Sequence, residues 1–234
     1  MPPAFSAPPP RPGLALLLGG LAATAATAQP AAEYQTWNAV MATAHLGQQT
    51  PSLAFWADLH VRRTAAGVQA IARPGVGVQL TPGVSLWGGY AWTPTFSDGD
   101  PAPVHEHRAW EQVLLQHETS FRLNLQSRTR LEQRFHQSGG EVGLRLRQFL
   151  RVSWRPSAEV PVGLLASDEL FIGLNATSWG QPAGVDQNRL FVGPFFQLAP
   201  WARLEAGYLF VYLDRAADRF LHTFSVLAVL TPKF

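Results

Sequence analysis

"SRTRLEQRFHQSGGEVGLRLRQFLRVSWRP" (residues 127–156) sets an arginine at almost every second place: Arg128, Arg130 and Arg134, then Arg145, Arg147, Arg151 and Arg155. Between them stand Leu131, Phe135, Leu144, Leu146, Leu150, Val152 and Trp154. On a helix, Arg128, Arg130, Glu132 and Arg134 would scatter around the axis. On a strand, where side chains alternate between faces, they share one face and the apolar residues take the other. Ser138-Gly139-Gly140 between the two halves is turn chemistry, so the stretch reads as a hairpin with a greasy side and a guanidinium side.

The same division recurs along the chain. In 53–62, Leu53, Phe55, Ala57, Leu59 and Val61 oppose Trp56, Asp58, His60 and Arg62. In 84–93, Val84, Leu86, Gly88, Tyr90 and Trp92 oppose Ser85, Trp87, Gly89 and Thr93. In 188–198, Leu190, Val192, Phe196 and Leu198 oppose Arg189, Phe191, Phe195 and Gln197. In 202–212, Leu204, Ala206, Tyr208, Phe210 and Tyr212 oppose Arg203, Glu205 and Gly207. Eleven such segments are predicted: 34–45, 53–63, 69–80, 84–93, 107–118, 123–136, 142–155, 162–174, 187–198, 202–213 and 220–232. Most run to about 9–13 residues, the length a tilted membrane-crossing strand needs. No helical pattern separates them, so the order is an antiparallel meander.

A soluble sandwich hides its apolar face between two sheets, whereas a membrane barrel turns that face to lipid and its polar face to the lumen. Three features favour the barrel. The segments exceed the usual ~5–6 residues of soluble strands. Aromatic residues sit near segment ends, at Trp37, Trp56, Trp92, Trp154, Tyr212 and Phe220, as interfacial girdles require. The chain ends on Phe234 after an amphipathic strand, which resembles the assembly signal of Gram-negative outer-membrane proteins. The connections also sort: 81–83 and 199–201 are tight, 94–107 and 176–187 long and rich in Gly and Pro. Counting back from a periplasmic C-terminus puts the tight turns inside and the long loops outside. It also starts 34–45 on the outside, which breaks the rule of even strand number. Either 34–45 does not span, leaving ten strands, or there are twelve. The fold predicted is all-β: a transmembrane antiparallel up-and-down barrel of ten to twelve strands.

Arg11 is the lone charge in the first thirty-two residues and precedes a short apolar core ending at Ala26-Thr27-Ala28. That pattern predicts a cleaved signal peptide over 1–28 and a single barrel domain over 29–234. No later apolar run is long enough for a transmembrane helix, which needs about 18 residues or more. Cysteine is absent, which excludes disulfides and cysteine-ligated zinc. The formal net charge is +2 and no long basic run occurs, so nucleic acid is not an expected partner. Lys233 is the only lysine.

In a barrel this narrow the polar faces crowd together, because eight strands already enclose only enough room for side chains. The predicted lumen-lining ionic network comprises Arg62, Arg73, Arg128, Arg130, Glu132, Arg134, Arg145, Arg147, Arg151, Glu169, Arg189 and Glu205, with Asp58 and Glu111 as further carboxylates. Gly75, Gly77, Gly89 and Gly207 leave space where long arginines must lie. Such a network either fills and stiffens the barrel or lines an anion-attracting passage. His136-x-Ser138 looks like the His-x-Ser-Asn pattern of outer-membrane phospholipase A, with Gly139 in place of the asparagine. It supplies an acyl-hydrolase alternative against a plain turn. His105 and His107 point the same way in an extended loop, yet with Glu106 they fall short of a metal shell. No metal or cofactor is expected.

The stretches "RPGVGVQLTPGVSLWGGYAW" (73–92), "HRAWEQ" (107–112), "RLEQRF" (130–135), "LRLRQFLRV" (144–152), "DELF" (168–171), "QNRLFVG" (187–193) and "LEAGYL" (204–209) give the chain a resemblance to the bacterial domain-of-unknown-function family 2490, assigned to outer-membrane β-barrels. The resemblance spans about 34–234. It implies a fold and a location but no activity. The expected role is a structural or accessory envelope barrel in contact with outer-membrane lipid, inserted by the barrel-assembly machinery through the strand ending in Phe234. A narrow anion-selective channel and a lipid acyl hydrolase using His136 and Ser138 stand as alternatives, and the oligomeric state stays open.

Overall fold

The computed structural model describes residues 33–47, 50–215 and 218–232. Residues 1–28, expected from sequence to be a signal peptide, and Phe234 lie outside the described residues.

Alternating sequence folds here into eleven strands: β1 (Glu33–Leu46), β2 (Ser52–Thr64), β3 (Gly67–Thr81), β4 (Val84–Ser97), β5 (Val104–Glu118), β6 (Leu123–His136), β7 (Gly143–Trp154), β8 (Val162–Gly173), β9 (Gly184–Ala199), β10 (Ala202–Leu213) and β11 (Arg219–Leu230). Each pairs antiparallel with its sequence neighbour, and the sheet closes on itself through β1 and β11. Closure leaves no sheet edge to attract another chain.

The strand count corrects the expectation of ten or twelve. Segment 34–45 is a full strand, and among the described residues there is no twelfth, so the total there is odd. In an up-and-down order with an odd count, the first and last strands run the same way. The closing pair must therefore be parallel, and β1 runs parallel to β11 in register from Glu33 opposite Leu221 to Ala42 opposite Leu230. Arg219 seals one end of this seam by donating from Nε (2.8 Å) and Nη2 (2.5 Å) to the Glu33 carboxylate. Glu33 shares that end, here the loop end, with connections 98–103, 137–142 and 174–183. The turns at 82–83 and 200–201 lie at the opposite, turn end.

The barrel is inverted relative to a soluble protein. Outward positions are large and apolar on nearly every strand, and they are exposed: Leu59, Val76, Leu150, Leu164, Val192 and Phe224 all exceed half exposure. Charged side chains are inside, where Arg130 and Glu132 have no solvent exposure at all. Two apolar clusters share the interior with them. Trp56, Ile71, Trp87, Trp110 and Leu114 pack together across β2–β5. Leu209, Val211 and Leu221, with Trp37 and Phe191, line the wall around the β1–β11 seam.

The aromatic girdle needs correcting too. Trp37 and Trp56 point inward, while Trp92 and Trp154 are outside, at the loop end and turn end respectively. Nor do glycines make room for arginine. A Cβ on Gly75 would sit 2.6 Å from the Trp110 ring, and one on Gly77 2.5 Å from the Trp87 ring. At Gly89 the same atom would meet Trp110 at 2.5 Å and the Pro74 carbonyl at 2.4 Å. The glycines accommodate two indoles and a close strand approach.

Candidate functional site

The barrel interior is organised by carboxylates, four of which, Glu106, Glu132, Glu169 and Glu205, each hold two or more arginines. Glu132 of β6 lies directly across from Arg145 of β7. Its Oε2 accepts from Arg145 Nε (3.0 Å) and Nη2 (2.5 Å), and its Oε1 from Arg147 Nη1 (2.5 Å). Arg147 reaches on to Glu169 of β8 through Nε (3.1 Å) and Nη2 (2.7 Å), where Arg128 Nη2 also donates at 2.5 Å. Arg189 Nη1 approaches the other Glu169 oxygen at 3.8 Å. The chain Arg145–Glu132–Arg147–Glu169–Arg128 thus ties β6, β7 and β8 together. Glu106 grips Arg134 with both oxygens (2.6 and 2.9 Å) and Arg108 at 2.6 Å. Asp58 accepts from Arg73 (3.1 Å) and the Trp56 indole (2.7 Å), with His60 Nε2 3.0 Å away. Towards the turn end, Glu205 takes Arg151 (2.5 Å) and Arg203 (2.8 Å). Charge-assisted bonds of this kind are about twice as strong as neutral ones, and in a dry interior leaving one unmade is costly.

Arginine outnumbers carboxylate, and the surplus is handled by ring faces. Arg130 stands opposite Arg147, a like-charge pair. It turns away to donate Nε (2.9 Å) and Nη2 (2.6 Å) to Gln112 Oε1, its guanidinium 4.4 Å over Trp110. Arg62 donates to Gln69 (3.2 Å) and lies 4.2 Å over Trp37. Arg189 covers Phe171 at 4.2 Å and Trp37 at 4.7 Å. Among the described residues, neither Arg62 nor Arg130 has a carboxylate within 4 Å. Desolvated cation–π stacking contributes about 2 kcal/mol, which compensates part of the missing pairing.

Three cavities run in series along this interior. A 770 Å³ vestibule opens at the loop end and a 510 Å³ one at the turn end. Between them lies a 180 Å³ cavity that shares Trp37, Arg62, Arg73, Arg147 and Arg189 with the first and Gln126 and Arg151 with the second. Four of its arginines, Arg62, Arg73, Arg128 and Arg189, keep a buried Nε–H with no acceptor. Chemically, this is a place where an anion would be attracted.

Loop 174–183 folds over the loop end. Trp179 stacks on His136 (5.1 Å) and donates its indole N–H to the Glu141 carbonyl (3.0 Å), with Arg134 4.9 Å over its ring. The Glu141 carboxylate accepts from the Ser178 amide (2.7 Å) and hydroxyl (2.6 Å), bonds that hold it below the usual carboxylate range.

All twelve side chains of the ionic set named from sequence lie on the inner face. Arg155 lies past the end of β7, in the turn-end connection. Glu111 faces outward and is exposed, so it is no lumen carboxylate. The inner parity of β5 is the even one, with Glu106, Arg108 and Gln112 as its polar members. The alternation Glu106-Arg108-Trp110-Gln112 carried that signal, but the strand begins at Val104 rather than at 107. His105 and His107 are therefore not in a loop. They project from the outer face of β5, His105 stacked on Trp92 and His107 hydrogen-bonded to Tyr90, while Glu106 points inside. No group of three His, Cys, Asp or Glu suited to a metal occurs among the described residues. His136 Nδ1 lies 2.7 Å from Ser138 Oγ and accepts the Ser138 backbone N–H (3.3 Å), the geometry of a local turn. Among the described residues no carboxylate pairs with His136 to complete a triad.

The closed eleven-strand barrel, with an interior held by arginine and glutamate, defines the class. The chain belongs to the DUF2490 family, described as a protein of unknown function, whose family model matches residues 34–222. It is 31% identical over 189 residues to an uncharacterized protein of Methylorubrum extorquens, a match covering 79% of this chain and 80% of that one. No solved structure matches.

Proposed function

We propose that this chain is an integral outer-membrane β-barrel of a Gram-negative bacterium that serves the envelope as a structural or accessory protein, its lumen filled by its own ionic network. The observation that carries this reading is the inversion: exposed apolar side chains circle the barrel while fully buried Arg130 and Glu132 sit at its centre. In water that arrangement would forfeit hydrophobic burial and still incur charge desolvation; in lipid both faces find their solvent. Outer-membrane lipid is then the immediate partner. The C-terminal strand is what the barrel-assembly machinery engages. Aromatics on the outer face near both ends, Trp92 and Phe96 towards the loop end and Trp154, Phe196 and Trp201 at the turn end, suit two interfacial belts. The test is heat-modifiable migration on a gel after extraction from outer membranes. A folded mature chain that stays monomeric in water without detergent refutes the reading.

A second reading, a narrow anion-selective passage, is favoured by the three adjoining cavities and, among the described residues, their unpartnered guanidinium N–H groups. Planar-bilayer recordings separate the two. A structural barrel gives no unitary current; a passage gives one whose anion preference falls when Arg145 and Arg147 are replaced by glutamine.

A further inference from the structure

Four consecutive strands carry a polar side chain at the middle of their outer face: Glu111 on β5, Thr129 on β6, Gln148 on β7 and Asp168 on β8. The groups bond to one another and to their flanks. Thr129 donates to Gln148 (2.7 Å), Gln148 to Ser127 (3.1 Å), Gln133 to Glu111 (3.0 Å) and Asn188 of β9 to both Asp168 oxygens (2.9 and 3.2 Å). Among the described residues neither carboxylate has a cation within 4 Å. The same height looks different elsewhere. Mid-strand outer positions are Leu59 on β2, Pro74 on β3, Tyr90 on β4, Tyr208 on β10 and Phe224 on β11; only Asn38 of β1 adds an amide. Beside the polar patch the surface dips into a 580 Å³ depression floored by Ser127 and Ala166 and walled by Leu115, Leu150 and Leu190.

We propose that this face of β5–β9 is a homodimer interface, covered by the same face of a second copy about a two-fold axis parallel to the barrel axis. The inference rests on the membrane reading, because only there do mid-strand carboxylates meet hydrocarbon, which solvates them poorly. A second copy fits for a geometric reason. A two-fold axis along the membrane normal preserves depth, so the polar row of one barrel meets the polar row of the other. The bonds within one barrel leave both kinds of group over: Gln133 uses one of its two amide N–H groups, Ser127 accepts from Gln148 but keeps its own hydroxyl hydrogen, and Glu111 accepts through one oxygen alone, so the row offers donors and acceptors to its own copy, as an isologous contact requires. The leucine-walled depression gives the partner's apolar side chains a place to pack.

The chain has no cysteine, so a single introduced thiol reports its own neighbourhood. Gln148→Cys, with Thr129→Cys as a second probe, is expressed in outer membranes and oxidised; Val76→Cys, on the outer face of β3, is the control. The interface predicts a disulfide-linked band at twice the chain mass for the first two and only background for the control. Monomer for every variant, or cross-linking to a protein of different mass, overturns the homodimer. Heat-modifiability of the same samples separates the two failures: a heat-modifiable monomer sinks the interface alone, and loss of heat-modifiability sinks the membrane reading beneath it.

Discussion

Glu132→Gln tests whether the interior is held by charge or merely filled. Glu132 is fully buried and splits its oxygens, Oε2 to two N–H groups of Arg145 and Oε1 to one of Arg147. Glutamine keeps the volume but offers one acceptor and an NH2. Whichever way the amide turns, donor faces donor on one side, and the smaller loss puts the NH2 against Arg147. That forfeits one hydrogen bond to a charged group, about 1.5–3 kcal/mol. It also leaves Arg145 with only the Asp186 carboxylate at 3.7 Å for compensation. Breaking a buried ion pair by removing one partner costs about 3–5 kcal/mol, and the loss expected here falls in that range. The assay is urea unfolding of the refolded mature chain in detergent micelles, followed by tryptophan fluorescence and by gel mobility. A loss below about 1 kcal/mol, with an unchanged denaturant slope, would refute the idea that Glu132 organises the network, because that is the size of a solvated surface pair.

Replacing Arg147 by Met, which strips a cation from both Glu132 and Glu169, should cost about 3–5 kcal/mol in the same assay, whereas Arg130→Met should cost less, about 1–3 kcal/mol, because it orphans the Gln112 amide oxygen and no carboxylate. Equal losses would show that pairing does not decide. Gly75→Ala and Gly89→Ala should each destabilise by about 1–3 kcal/mol through overpacking. Adding Trp110→Leu should recover part of the Gly75 loss, where the ring is the nearest obstacle, and little of the Gly89 loss, where the nearest is the Pro74 carbonyl. Acid should loosen loop 174–183: a carboxyl held below its unfolded value stabilises above that value and loses the effect as pH falls through the depressed one, so Glu141 releases Ser178 on acidification. Emission of Trp179, in a variant that keeps it as the sole loop-end indole, should shift below the normal glutamate range, and Glu141→Gln should abolish the shift.

Period-two alternation made the fold legible almost strand for strand, because a barrel has one inside and one outside and every residue must choose. The segment 53–62 illustrates it: each residue assigned to the greasy side is outside, and Trp56, Asp58, His60 and Arg62 are inside. Closure was not legible. Nothing in 34–45 tells whether its free edge meets an antiparallel or a parallel neighbour, and the rule of even number pointed away from the β1–β11 pair. Partnering was legible only in part. Glu132 opposite Arg145 follows from hairpin register, but Glu205 with Arg151 joins strands 54 residues apart across the lumen. Aromatics were the weakest signal, since a tryptophan near a strand end suits an interfacial belt and an interior stack equally well. Trp37 and Trp56 fall on the inner parity, and their place beneath Arg62 and Arg130 depends on which strands the lumen brings face to face.

Those indoles bear on why the interior uses arginine and never lysine. A closed lumen this narrow offers each cation few carboxylates, and an ammonium is a compact, strongly hydrated charge that loses more on leaving water. A guanidinium is more weakly hydrated and has two advantages of shape. Its planar fork can bind a pair of acids at once, as Arg147 does between Glu132 and Glu169, and its face can lie on a ring, as Arg62, Arg130 and Arg189 do. Both options are used around the barrel. Arg147 bridges two acids while lying 4.6 Å over Phe171, Arg73 pairs with Asp58 and Arg108 with Glu106, and Arg62 and Arg130 lie on indoles. Leu209, Val211 and Leu221 add an apolar stretch of wall beside the β1–β11 seam. The seam, whose parallel pairing is slightly the weaker kind, is thus held by backbone bonds, by this apolar wall and by the Arg219–Glu33 pair across its loop end.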